Sequence, residues 1–146
     1  MLLTKKNLHI LLISISILFI SCNSYSHNKS EIESAMKLYD RLLLKMDADS
    51  ISMLYTPDGI LADKVGRDSI RKFLSSFKDV RVLSQSSITR SIDIANDTAI
   101  QKGTYSQTDL ISEKDTIKVK GEYVATWHWF RSEGWLMKQM TTKPIN

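Results

Sequence analysis

Residues 117–140 read IKVKGEYVATWHWFRSEGWLMKQM, and this stretch decides the fold. It is rich in β-branched and aromatic residues and is split by Ser132-Glu133-Gly134, a tight turn signal. It predicts two antiparallel strands, about 117–131 and 134–141. Successive strand residues face opposite ways. Thr126, His128 and Phe130 therefore share one face, and Tyr123, Ala125, Trp127 and Trp129 share the other. Parity alone does not say which face looks inward.

Upstream, two further β-like segments cover about 80–94 and 98–110, separated by Ala95-Asn96-Asp97. The polar stretch 111–116 reads as a loop. Before residue 80 the spacing is helical. Ser30-x-x-Glu33 is a capping box, and Ile32, Met36, Tyr39, Leu43 and Met46 recur on one face. That predicts a helix to about Asp47. Asp49 and Ser50 are candidate caps for a short helix through Met53 and Tyr55. Thr56-Pro57-Asp58-Gly59 reads as a turn, Gly59 to Ala62 as a short strand, and Gly66-Arg67-Asp68 as the start of a third helix. Helices first and antiparallel strands afterwards predict an α+β fold, with a curved sheet wrapped over the helices.

At the other end, Lys5 and Lys6 precede LHILLISISILFI, residues 8–20, followed by Ser21 and Cys22. The apolar run is short for a membrane span of about 20 residues and fits the h-region of a secretory signal. Its ending resembles the lipobox of bacterial lipoproteins, with Phe19 where that family usually has leucine. The resemblance implies cleavage before Cys22 and acylation of Cys22. The single cysteine of the chain, which can form no internal disulfide, is then accounted for. The expected organisation is a signal peptide at 1–21, a flexible tether at 22–29 and one domain at 30–146. The expected site of action is the bacterial cell envelope, lipid-anchored to a membrane surface. Lys5 and Lys6 carry half of the formal charge of +4, and no basic patch interleaved with aromatics is present, so no nucleic-acid partner is expected.

The domain resembles the NTF2-like superfamily in its SnoaL-like and DUF4440-like branches. The resemblance rests on the order and spacing of Lys45–Ser50, Leu54–Gly59, Val65–Ile70, Asp97-Thr98-Ala99, Gly103-Thr104-Tyr105, Gly121–Trp127 and Glu133-Gly134-Trp135. It implies a cone of strongly curved antiparallel or mixed sheet closed by N-terminal helices, often with a pocket, and a homodimer. Set beside the ketosteroid isomerases of that superfamily, Asp63 falls on the general base and Tyr39 on the oxyanion-hole tyrosine. A carboxylate to move a proton and a phenol to hold an enolate oxygen are what that reaction needs. The second oxyanion donor falls near Thr126, which offers only a neutral hydroxyl.

The candidate pocket is Tyr39, Asp63, Tyr105, Thr126, Trp127, His128 and Met137. For Tyr39 and Asp63 individually, a core tyrosine and a solvated aspartate are the competing readings. His128 is the one histidine of the folded region, beside His9 in the leader and His27 in the tether, so neither a metal nor a cofactor is expected. No G-x-S-x-G, P-loop, H-E-x-x-H or dinucleotide pattern occurs. Three functions stay open: a module binding a small apolar or amphipathic ligand, which is favoured; an isomerase, cyclase or dehydratase moving a proton next to a carbonyl; and a dimeric interaction module.

Overall fold

The computed structural model describes residues 27–145. The expected signal peptide, Cys22 and the expected tether up to Ser26 lie outside the described residues. Among those described, no helix is long and apolar enough to cross a membrane.

Helix α1 spans Lys29–Lys45. Its cap is Asn28, whose Oδ1 accepts from the Ser30 amide at 3.0 Å, so the helix starts ahead of the capping box read from Ser30. Met46 ends it in the left-handed region at φ 47°. The i, i+4, i+7 positions Ile32, Met36 and Tyr39 are buried, each contributing roughly 1.5–3 kcal/mol by leaving water. Helix α2, Ala48–Met53, is capped by Asp47, which accepts from the Ser50 amide at 3.0 Å. Asp49 and Ser50 are thus inside it, not caps. Helix α3, Arg67–Ser75, buries Ile70 and Leu74.

Six strands form one mixed sheet in the order β2-β1-β6-β5-β4-β3. They are β1 Tyr55–Leu61, β2 Lys64–Val65, β3 Val80–Ala95, β4 Thr98–Ile111, β5 Asp115–Phe130 and β6 Gly134–Pro144. β1 runs parallel to β6, and every other neighbouring pair is antiparallel. The Thr56–Gly59 turn signal lies within β1. Tyr55 pairs Met137 and Ile60 pairs Gln139, so β1 spends three extra residues on a bulge. A bulge tolerates Pro57, which has no N–H to give a ladder. The 111–116 loop shrinks to residues 112–114, with Ser112 and Glu113 at positive φ. Register shifts at Val82/Ser84 and Thr89/Ser91 curl β3 over α1, giving the α+β cone.

The core settles the parity question. On β5, Tyr123, Ala125 and Trp127 are 3%, 0% and 1% exposed, so this face looks inward. Thr126 and His128 alternate onto the outer face. Burial of a tryptophan and a tyrosine outweighs anything a threonine and a histidine would gain inside. At the chain's entry His27 is already packed on the domain. Its ring lies 4.7 Å from Trp129 and 4.8 Å from Trp135, and its Nε2 is 2.9 Å from Asp97 Oδ1. Trp135 in turn donates to Glu31 Oε2 at 3.0 Å.

Candidate functional site

The tripeptide Gly-x-Tyr occurs at 103–105 on β4 and at 121–123 on β5. The register pairs them head to tail: Gly103 with Tyr123, and Tyr105 with Gly121. Each tyrosine ring lies over the glycine opposite. A β-carbon on Gly103 would sit 2.6 Å from Tyr123 Cε1, and one on Gly121 would sit 2.5 Å from Tyr105 Cε1. Only hydrogen at these two positions lets both rings lie down on the inner face.

These tyrosines form one wall of a cavity of about 240 Å³ between α1 and the sheet. α1 supplies Tyr39 and Leu43, and β3 supplies Gln85 and Ser87. Gln107 joins Tyr105 from β4, and Val119 joins Tyr123 from β5. Met140 and Thr142 of β6 complete the lining. None of these ten side chains is acidic or basic.

Charge sits just behind the wall. Asp40, half-buried on α1, accepts from Gln85 Nε2 at 3.0 Å, from the Ser87 amide at 2.9 Å and from Ser87 Oγ at 2.8 Å. Gln107 Nε2 lies 2.9 Å from both carboxylate oxygens of Asp109. Both glutamines therefore spend their amide nitrogens on carboxylates. Turning either amide over would face oxygen with oxygen, so the orientations are fixed by charge. Gln85 Oε1 is left buried in the wall with no hydrogen-bond partner among the described residues. An orphaned buried acceptor costs about 1–3 kcal/mol.

Burial, with the Asp40 carboxylate adding to it, pushes the Tyr39 phenol up to about 12, although Tyr55 offsets part of this. Burial also raises Tyr123, with Asp40 and Glu33 adding to it and Thr89 pulling the other way. Tyr123 is held from behind by a buried relay. Trp127 Nε1 donates to Gln101 Oε1 at 3.1 Å, Gln101 Nε2 donates to Thr89 Oγ1 at 2.8 Å, and Thr89 Oγ1 is 3.4 Å from the Tyr123 hydroxyl.

The seven candidate residues divide sharply. Tyr39 and Tyr105 line the cavity. Trp127 and Met137 are fully buried core behind it, not lining. Thr126 and His128 face outward because parity puts the apolar set inside. Asp63 is at the turn between β1 and β2, its side chain 78% exposed and paired with Lys64 Nζ at 2.8 Å. The hydrogen bond from Lys64 holds its carboxyl below the usual carboxylate range. The expected pair of Asp63 and Tyr39 does not converge: the β1–β2 turn leaves the carboxylate in solvent while α1 buries the phenol. Gln85, Gln101, Gln107 and Asp40 were not singled out by the sequence. Only the repeated Gly-x-Tyr could have drawn attention to their neighbourhood.

No family model matches the chain, and no curated protein matches it. Solved structures do. A ketosteroid isomerase-like protein from Erwinia carotovora atroseptica superposes with a TM-score of 0.72 at 17% identity, covering 82% of this chain and 99% of that one. A conserved protein from Planctomyces limnophilus gives 0.70 at 14% identity, covering 80% and 97%. A Catenulispora acidiphila protein in complex with S-DNPA gives 0.67 at 13% identity, covering 79% and 91%. The chain has the α+β cone of the NTF2-like and ketosteroid isomerase-like proteins.

Proposed function

We propose that this domain binds a small, largely apolar molecule in the cone cavity and does so at the bacterial envelope, held there by a lipid on Cys22. The observation that carries the binding half is the tyrosine-walled cavity itself. An apolar cavity of about 150 Å³ takes up benzene. At about 240 Å³ this one suits a two-ring molecule. Leu43, Val119 and Met140 supply apolar contact, and three phenols supply orientation.

The chemistry of the wall supports binding over proton transfer. An enolate-forming enzyme needs a base at the substrate and donors that welcome negative charge. Here the lining holds no titratable base, and the carboxylate of Asp40 is engaged by Gln85 and Ser87. Tyr39, pushed up to about 12, sits where negative charge is unwelcome. The test is a titration of the protein with 2-naphthol, read from the ring signals of Tyr39, Tyr105 and Tyr123 by NMR. Saturable shifts confined to those rings are expected, and Leu43→Trp should abolish them. Saturation that survives Leu43→Trp would sink the reading.

A second reading rests on the outer sheet face, which exposes Ile88, Ile100 and Val124. A second copy of the chain seated there would cover them. Sedimentation as a clean monomer at high micromolar concentration would count against it.

A further inference from the structure

We infer that the cone cavity selects a neutral or cationic molecule bearing a hydrogen-bond donor, and rejects carboxylates. This rests on the binding reading above and specifies its ligand.

The argument starts from what the wall can still offer. Hydroxyls of Tyr39, Tyr105 and Thr142 rotate and can donate or accept, so they discriminate little. The glutamines cannot adapt in this way. The amide nitrogens of Gln85 and Gln107 are turned to Asp40 and Asp109, which fixes where their carbonyl oxygens point. Gln85 Oε1 is buried in the same wall with no hydrogen-bond partner among the described residues. A ligand N–H or O–H reaching it, with a small rotation of the side chain, would satisfy an acceptor that is otherwise orphaned. A ligand carboxylate has only further acceptors to present.

Charge points the same way. Among the described residues, no lysine, arginine or histidine lines the cavity. The lysines nearest in sequence, Lys118, Lys120 and Lys143, are exposed and alternate away from Val119 and Thr142 onto the opposite face. The charges that bear on the Tyr39 and Tyr123 phenols are the carboxylates of Asp40 and Glu33. Three tyrosine rings add the negative potential of their faces, which attracts cations and repels anions.

Four two-ring probes separate the possibilities: 2-naphthylmethylammonium, 2-naphthol, 2-methoxynaphthalene and 2-naphthoate. They are titrated into the full chain, and binding is read from the Tyr39, Tyr105 and Tyr123 ring signals, which partition into detergent or lipid does not move. The ammonium and the naphthol should bind at least tenfold more tightly than the naphthoate. The naphthol should bind several-fold more tightly than its methyl ether, which lacks the donor. Naphthoate affinity equal to or above that of the ammonium would overturn the charge selection. Equal affinity of naphthol and ether would overturn the donor requirement. If none of the four moves the rings, the cavity is not a binding site, and the selection falls with the function it specifies.

Discussion

Gly103→Ala is the smallest change that tests how the cavity is built. The added carbon would sit 2.2 Å from the Ile88 carbonyl oxygen and 2.6 Å from Tyr123 Cε1. Carbon and oxygen settle at about 3.3 Å or more, so something must move by about 1 Å. The oxygen belongs to β3, and Gly103 pairs with Thr89 on that side and with Tyr123 on the other. A central strand clamped by two ladders cannot step aside cheaply. Overpacking of this kind costs about 1–3 kcal/mol, occasionally more. Against it stands about 0.4–1 kcal/mol gained because alanine narrows the unfolded ensemble. A net loss of about 1 kcal/mol follows, or about 4 °C in Tm at roughly 4 °C per kcal/mol for a domain of this size. Gly121→Ala meets the Lys143 carbonyl oxygen and Tyr105 Cε1, both at 2.5 Å, and should lose a similar amount. Its particular signature is that Tyr105 must lift off the sheet into the cavity, so 2-naphthol affinity should fall about tenfold beyond any stability loss. Urea denaturation followed by near-ultraviolet circular dichroism measures the first effect, and ring-resolved NMR the second. Either alanine variant proving more stable than wild type would refute the stacked Gly-x-Tyr arrangement, since that gain is what an unhindered strand glycine gives.

Further changes probe other parts of the molecule. Gln101→Leu strands the Trp127 indole N–H in the core and should cost about 2–3 kcal/mol in urea denaturation; a loss below 0.5 kcal/mol would mean the relay is not formed. Tyr39 titrates at about 12 when folded against 10.0 unfolded, so the folded state holds the proton more tightly. Its contribution is intact below pH 10 and is lost as pH rises towards 12, a fall of roughly 2–3 kcal/mol that Tyr39→Phe should lack. An identical decline in the variant would show that the phenol is not buried. His27→Ala removes a ring lodged between two indoles and should change tryptophan fluorescence while costing about 1 kcal/mol; an unaltered spectrum would place His27 off the domain. Cys22→Ser should end palmitate labelling and release the chain from membranes, and a variant that keeps both would refute lipid anchoring.

The fold was legible because its signals are periodic. Ile32, Met36 and Tyr39 mark one face of α1 by spacing alone, and the Ser132-Glu133-Gly134 turn marks the β5–β6 hairpin. Misreadings came where tertiary pairing overrides local preference. Thr56–Gly59 has turn composition, yet a parallel partner in β6 draws it into a bulged strand. Two of the ten lining residues, Tyr39 and Tyr105, were legible too. The remainder depends on register. A glutamine on a strand is an ordinary surface residue until a carboxylate from another element fixes its amide. Asp40 reaches Gln85 and Ser87 across 45 and 47 residues, a coincidence no window along the chain contains. The Gly-x-Tyr repeat is different. Centring the β4–β5 hairpin on residue 113 sets Gly103 against Tyr123 and Tyr105 against Gly121, a pairing the sequence contained but its reading passed over.

That pairing also bears on how this fold can form a pocket without a charged wall. In a cone, strands β4 and β5 line the interior whatever the chemistry, because their inner faces have nowhere else to go. Two rings laid flat on two glycines shape a cavity without needing a charged group. Asp40 then supplies what a catalytic carboxylate would otherwise supply, a negative charge near the cavity, but spends its hydrogen-bonding capacity on holding β3 against α1. A carboxylate so engaged is a brace between helix and sheet. On the proposed reading its field would reach a ligand while its lone pairs would not. The same residue therefore holds β3 to α1 and disfavours an oxyanion at Tyr39, and under the proposed selectivity it would favour a cation in the space between. Replacing it by asparagine should weaken the preference for ammonium over carboxylate probes several-fold and create no proton-transfer activity.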